Sequence, residues 1–170
     1  KHLLFFRGQD DSVDDDAQFV PVQLVPQLTY KADSAVVGTM SLARVTTTVT
    51  NEDDDVAGLT MTPVSGQLNN GSYVTNEKST MSSSFGIQLN TQPTHLVRVA
   101  LSSSNDGEGK FTTPNLVFTP ATWNMSQYVT VVGVDDLVDD GDVQYRAVAG
   151  PCETVDAKYK PLQTSTEMVN

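Results

Sequence analysis

The chain has 170 residues, enough for one β-sandwich domain and part of a second, and 38% of them are hydrophobic. It carries 21 acidic residues against 10 basic ones, a formal charge of −11. This balance argues against nucleic acid and anionic membranes as partners, because both need a cationic face. No apolar run approaches the roughly 18 residues of a membrane-spanning helix, so we expect no direct membrane contact.

In chain order, the first feature is an acidic stretch, GQDDSVDDDAQF, at residues 8–19. The β-branched run VTTTVT follows at 45–50 and is typical of a strand. After a further acidic run at 53–55, turn residues divide the chain into eight or nine short β segments. They are 59–64, 72–75, 84–89, 96–101, 109–113, 115–119, 128–134, 142–148 and 164–170. This pattern predicts an all-β chain folded as an antiparallel sandwich.

A second acidic stretch, GVDDLVDDGDVQY at residues 133–145, repeats the first. Gly8 aligns with Gly133, a shift of 125 residues, and Asn51 aligns with Asn170, a shift of 119. One inserted residue brings Gln18 onto Gln144. The repeat predicts one whole module at 52–170 and the C-terminal strands of a preceding module at 1–51. We therefore expect the chain to be part of a longer array.

Three segments resemble the Calx-β-like and cadherin-like repeats of large cell-surface and secreted proteins. They are TNEDDDVAG at 50–58, IQLNTQPT at 87–94 and FTTPNLVFTPATWNMSQYVTVVGVDD at 111–136. The resemblance covers most of residues 50–149 and the equivalent part of 1–50. It implies an immunoglobulin-like sandwich strung in tandem, located outside the cell or on its surface, with calcium at one end of each module near the junction with the next.

The resemblance also implies which acids would bind calcium. In the whole module these are Glu77, Asp106 or Glu108, and the late-loop acids Asp135, Asp136, Asp139 and Asp140. In the preceding module they are the late-loop acids Asp10, Asp11, Asp14 and Asp15, with the linker acids Asp53, Asp54 and Asp55. Calcium takes about 6–8 oxygen ligands, so one loop alone would not suffice. One departure is Ser79, two places after Glu77, where the family often has glycine; Lys78, between them, would weaken the local negative field.

Acidic loops also have a simpler interpretation, because aspartate favours solvated turns by bonding to its own backbone. No catalytic motif is visible: His2 and His95 lie in no metal or triad pattern, and His95 fits a strand. The single cysteine, Cys152, forms no internal disulfide and is either a small loop residue or a link to another chain. Sequons at Asn70 and Asn124 are candidate glycosylation sites.

The sequence therefore predicts a non-enzymatic, structural segment of an extracellular filament or adhesin-type protein, stiffened by calcium. Its expected partners are neighbouring modules, and other copies or another surface protein. Two alternatives stay open: a module that recognises a glycan or a protein, and a calcium-sensing regulatory module. The low aromatic content of 7% disfavours a sugar-stacking surface.

Overall fold

The structure, a computed structural model, describes residues 4–25, 44–78, 80–138 and 141–170. The chain divides into two compact units, one of residues 1–11 with 15–54 and the other of residues 12–14 with 55–170. All regular elements in the described residues are strands, and none of these residues forms a helix able to cross a membrane. The fold is all-β, as the sequence predicted.

The first unit contains an antiparallel hairpin of β1 (Gln18–Leu24) and β2 (Val45–Asn51). Gln18 lies opposite Asn51 at one end of the hairpin, and Leu24 lies opposite Val45 at the other. Neither strand carries a charged side chain. β-branched residues fill most of β2, which suits an extended backbone.

The second unit contains ten strands among the residues that the structure describes. They are β3 (Leu59–Ser65), β4 (Leu68–Asn69), β5 (Ser72–Val74), β6 (Ser82–Leu89), β7 (Val97–Ser103), β8 (Gly109–Phe111), β9 (Asn115–Phe118), β10 (Gln127–Gly133), β11 (Gln144–Glu153) and β12 (Thr164–Val169).

These strands form two sheets. The first has the order β3-β6-β10-β8 and is antiparallel throughout. The second has the order β4-β5-β12-β11-β7-β9, and only its pair β5–β12 is parallel.

The core of the second unit lies between the two sheets. Alternate residues of the first sheet are buried, among them Phe85, Ile87 and Val129, because successive side chains of a strand point to opposite faces. They form one cluster with buried residues of the second sheet, including Val97, Val99, Phe118, Tyr145 and Met168. Trp123, the single tryptophan, packs against this cluster. The unit is therefore a sandwich-like pair of sheets around one core.

The nine predicted strand segments of residues 59–170 are all confirmed in place, with small shifts of their ends. The sequence reading missed β4, which joins β5 through a two-residue turn in which Asn70 and Gly71 have φ angles of 48° and 90°. An Asn-Gly pair with both φ angles positive is the favoured turn for such a hairpin. The prediction from the sequence also ended β11 too early, because this strand continues past a register shift that follows Ala149.

Two residue placements were wrong. His95 lies in a bend before β7, where its Nδ1 is 3.1 Å from the Thr94 hydroxyl, and not in a strand. Cys152 is buried in β11 and not in a loop, and its thiol donates to the Leu162 carbonyl over 3.6 Å. Burial raises the pKa of the Cys152 thiol to about 11. The thiol is therefore neutral and unreactive at neutral pH.

Buried polar contacts fasten the β11–β12 connection to the β6–β7 connection. The Tyr159 hydroxyl donates to the Thr91 carbonyl over 2.7 Å and accepts from the Thr91 amide over 3.0 Å. The Asp156 carboxylate accepts from both the amide and the hydroxyl of Thr94. Burial alone would raise the pKa of Asp156, but hydrogen bonds from Thr94, Lys158 and Tyr159 together lower it. These contacts fix the end of β11 that lies away from the acidic loop.

Candidate functional site

A groove of 650 Å³ lies at the end of the second unit where the β10–β11 loop begins. Three segments line it: the turn after β5, the β10–β11 loop and the C-terminal residue. The groove residues are Asn76, Glu77, Lys78, Asp136, Leu137, Val138, Gly141, Asp142 and Asn170. The structure thus brings two predicted ligands, Glu77 and Asp136, to one cavity, together with Asp142, which was not among them.

Short-range hydrogen bonds set the shape of both acidic walls. Asp136 Oδ1 accepts from the Val138 amide over 2.7 Å, the bond of an Asx turn. Asn76 Oδ1 accepts from the amides of Thr80 and Met81, at 2.9 and 3.0 Å. Gly133, the last residue of β10, lies against the Asn76 carbonyl, and no space is left there for a side chain. The walls are therefore built from local turns, which suits sequence positions rich in Asp and Asn.

Asn170 connects the groove to Glu108, one of the predicted calcium ligands. Its Nδ2 donates to Glu108 Oε2 over 3.2 Å and to the Val134 carbonyl over 3.4 Å. Glu108 is 7% exposed, whereas Asp106 is exposed on the turn before it. Asp106 and Glu108 were predicted as alternative ligands. The structure places Glu108 beside a groove residue and leaves Asp106 exposed to solvent.

In the first unit, hydrogen bonds join the linker acid Asp53 to the acidic loop. Asp53 Oδ2 accepts from the amides of Asp15 and Asp16, both at 3.0 Å. Asp15 in turn accepts from Gln18 Nε2 over 2.7 Å. The structure thus brings the linker acid Asp53 to the late loop of the same unit.

The other acids predicted for this set are divided between the units. Asp10, Asp11 and Asp54 are exposed residues of the first unit, whereas Asp14 and Asp55 belong to the second.

Asp14 already has a cationic partner. Its carboxylate accepts from the Ala57 amide over 2.8 Å and lies 2.9 Å from Lys158 Nζ. The Ala57 hydrogen bond and the Lys158 ammonium hold the pKa of Asp14 below its ordinary value of 3.8. The neighbouring Ser12 carbonyl accepts from the Gln92 amide over 2.6 Å. A calcium ion at Asp14 would have to displace a lysine, a contact that the sequence reading did not anticipate.

The donor chemistry of the groove fits calcium in kind. Glu77, Asp136 and Asp142 supply carboxylate oxygens, and Asn76 and Asn170 supply amide oxygens, which are the ligand types that calcium takes. Within the described residues, no three acidic, histidine or cysteine side chains approach closely enough to hold a metal ion. Asp135 is exposed in the same loop, and Asp139 and Asp140 lie outside the described residues.

The two units share one structural detail that the acidic pattern alone did not reveal. In the first unit, Asn51 Nδ2 donates to the Gln9 carbonyl over 3.2 Å, and the Asn51 side chain fills the space beside Gly8. In the second, Asn170 Nδ2 donates to the Val134 carbonyl, and the Asn170 side chain fills the space beside Gly133. Each contact joins the residue at the end of a strand pair to the start of the acidic loop. We call this contact the Gly–Asn clasp.

Strand pairing relates the two hairpins by a register one residue away from the predicted alignment. Asn170 exchanges both backbone hydrogen bonds with Val143, whereas Asn51 lies opposite Gln18. Gln18 therefore occupies the position of Val143, and Val20 that of Tyr145. In this register Gln18 and Val143 are 125 residues apart, as Gly8 and Gly133 are.

Both candidate glycosylation sites lie on exposed turns. Asn70 is in the β4–β5 turn, and Asn124 is in the turn before β10. Nothing in the fold blocks access to either side chain.

Comparison with family models, curated proteins and solved structures finds no match to this chain.

Proposed function

We propose that this chain is a structural, non-catalytic segment of a tandem array of immunoglobulin-like modules of the Calx-β kind. The array would belong to a large extracellular or cell-surface protein of the filament or adhesin type, with neighbouring modules and other copies as its partners. The observation that carries the proposal is the Gly–Asn clasp, which occurs in both units at positions related by the sequence repeat. A segment whose construction recurs along the chain suits a spacing role better than a single recognition site does.

The strand order of the second unit supports the immunoglobulin-like part of the proposal. We letter A to G, in chain order, the seven strands β3, β6, β7, β8, β10, β11 and β12. The first sheet then has the order A-B-E-D, and the second contains G-F-C. A constant-type immunoglobulin domain has the same strand order, which supports this part of the proposal; the short strands β4, β5 and β9 would be additions to it.

Calcium enters the proposal through the groove. Without a cation, two carboxylates about 6 Å apart repel each other by roughly 3 kcal/mol at an effective dielectric near 20. A bound ion would turn this repulsion into attraction and tie the β10–β11 loop to the turn after β5. The groove already holds Lys78, so the proposed site is of modest charge.

Thermal unfolding of the 170-residue chain, followed by Trp123 fluorescence, tests this proposal. With calcium at about 100 times its Kd, we expect a midpoint about 5–10 °C higher than with a chelator. Glu77→Gln together with Asp136→Asn is expected to remove most of this gain, because it replaces two carboxylates of the groove by neutral amides. Glu52→Gln, at an exposed acid outside the predicted ligands, is the matched control. An equal midpoint with calcium and chelator would refute the metal part.

A further inference from the structure

One face of the β1–β2 hairpin is apolar and largely open. Val20 lies opposite Val49, Val22 opposite Thr47 and Leu24 opposite Val45, and directly opposed residues share a face. Val20, Leu24 and Val45 are 50%, 41% and 55% exposed. A two-stranded hairpin alone is marginally stable in water, so a face of this kind needs a cover. We call these six residues the valine face.

The clasp identifies the counterpart of the valine face in the second unit. With Asn51 matched to Asn170 and Gly8 to Gly133, the positions of Val20, Val22 and Leu24 correspond to Tyr145, Ala147 and Ala149. Val49 corresponds to Met168 by the shift of 119 residues. All four counterparts are at most 3% exposed. They belong to the core cluster that includes Phe85, Ile87, Val129 and Val131 of the first sheet.

The opposite face of the hairpin has an exposed counterpart. Phe19 and Pro21 correspond to Gln144 and Arg146, which are exposed in the second unit. Phe19 therefore lies on the hairpin face whose counterpart in the second unit is exposed to solvent. Its being aromatic does not make this face the covered one.

We propose that the valine face is a docking surface for a four-stranded apolar sheet of the kind formed by β3, β6, β10 and β8. In the second unit, the equivalent face of β11–β12 is covered by such a sheet. The partner of the valine face is therefore an apolar sheet of the same kind. Strands β1 and β2 carry no charged side chain, which suits burial between two sheets. This inference rests on the tandem arrangement proposed above and names the partner of its first unit.

The test joins a second copy of residues 55–132 ahead of Gly8, at the position equivalent to Gly133, and leaves residues 8–170 unchanged. Hydrogen exchange of the β1 and β2 amides is measured in this extended chain and in the 170-residue chain. We expect exchange at least about a hundredfold slower in the extended chain, approaching that of β11 and β12. Exchange that stays as fast as before would overturn the proposal.

Matched variants separate the two faces. In the extended chain, Val20→Asp is expected to restore fast exchange, whereas Gln23→Asp on the opposite face is expected to leave it slow. Equal effects of the two variants would contradict the proposal. The 170-residue chain could form dimers that Val20→Asp dissociates. If such dimers persist when the sheet is added, the occupant is a second copy and the proposal is wrong.

A measurement on the 170-residue chain covers failure of the extended chain to fold. An apolar fluorescent dye is expected to bind it, and Val20→Thr with Leu24→Thr is expected to halve the signal, while Phe19→Thr with Gln23→Thr changes it less. Dye binding indifferent to the valine face would overturn the proposal. Neither hydrogen exchange nor dye binding involves calcium. Failure of the docking proposal is therefore distinguishable from failure of the metal proposal.

Discussion

Replacing Phe85 by alanine is expected to lower the free energy of unfolding of the second unit by about 3–5 kcal/mol. Phe85 is 1% exposed at the centre of the first sheet, with β3 on one side and β10 on the other. Its ring meets Tyr73 edge to face at a centroid distance of 5.1 Å. The substitution removes apolar burial, this ring pair and the filling of the space between the sheets, which cannot close because both are held by their ladders.

Urea unfolding followed by Trp123 fluorescence measures this loss, because the single tryptophan packs against the same core. Phe5→Ala is the control, since Phe5 is 89% exposed and its loss should change the free energy by less than about 0.5 kcal/mol. A loss below about 1 kcal/mol for Phe85→Ala would mean that the two sheets do not enclose a common core.

The second large effect is expected at Gly133, where alanine should destabilise the second unit by about 3 kcal/mol, the upper part of the usual range for overpacking. A Cβ at this position would lie 2.5 Å from the Asn76 carbonyl carbon and 2.5 Å from Asn170 Oδ1. The Asn76 group is backbone, so it cannot rotate away as a side chain would. Relief requires the β10–β11 loop to separate from the turn after β5, which opens the groove and releases the clasp.

Gly86→Ala is the matched control for Gly133→Ala. Its Cβ would lie 3.4 Å from the nearest Tyr128 ring atom, an ordinary contact at the close end of the range. Gly86 is in the middle of β6, where alanine reduces the entropy of the unfolded chain, so a neutral or slightly stabilising effect is expected. Urea unfolding of both variants decides between them, and equal stabilities would show that Gly133 is not constrained by Asn76 and Asn170.

The strands were predictable because the determining signals are local. Alternation such as VRVALS in β7 specifies which side chains face the core, and turn residues mark where each strand stops. β4 was missed because two residues carry no period. His95 was misplaced because the start of β7 is set by a tertiary contact, the binding of Thr94 by Asp156.

The candidate site was predictable only in part. Charge density located the acidic loops, and the proposed repeat predicts which of their acids correspond. Lys158 was not foreseen as the partner of Asp14, because the two are 144 positions apart and no local pattern connects them. The role of Asn51 and Asn170 had a signal, since the predicted alignment pairs them, but a polar residue at the end of a strand has many uses. Its meaning depends on the glycine it packs against, which only the fold brings near.

Hydrogen exchange in paired asparagine variants tests the central claim, that one construction occurs twice in this chain. Asn51→Ala should accelerate exchange in residues 9–16, and Asn170→Ala should accelerate it in residues 134–138 and 141–143, each by about tenfold for the loss of a hydrogen bond worth roughly 1.4 kcal/mol. Asn124→Ala, at an exposed turn, should change neither loop. If Asn170→Ala acts on its loop while Asn51→Ala leaves residues 9–16 unchanged, the two units are not copies of one module.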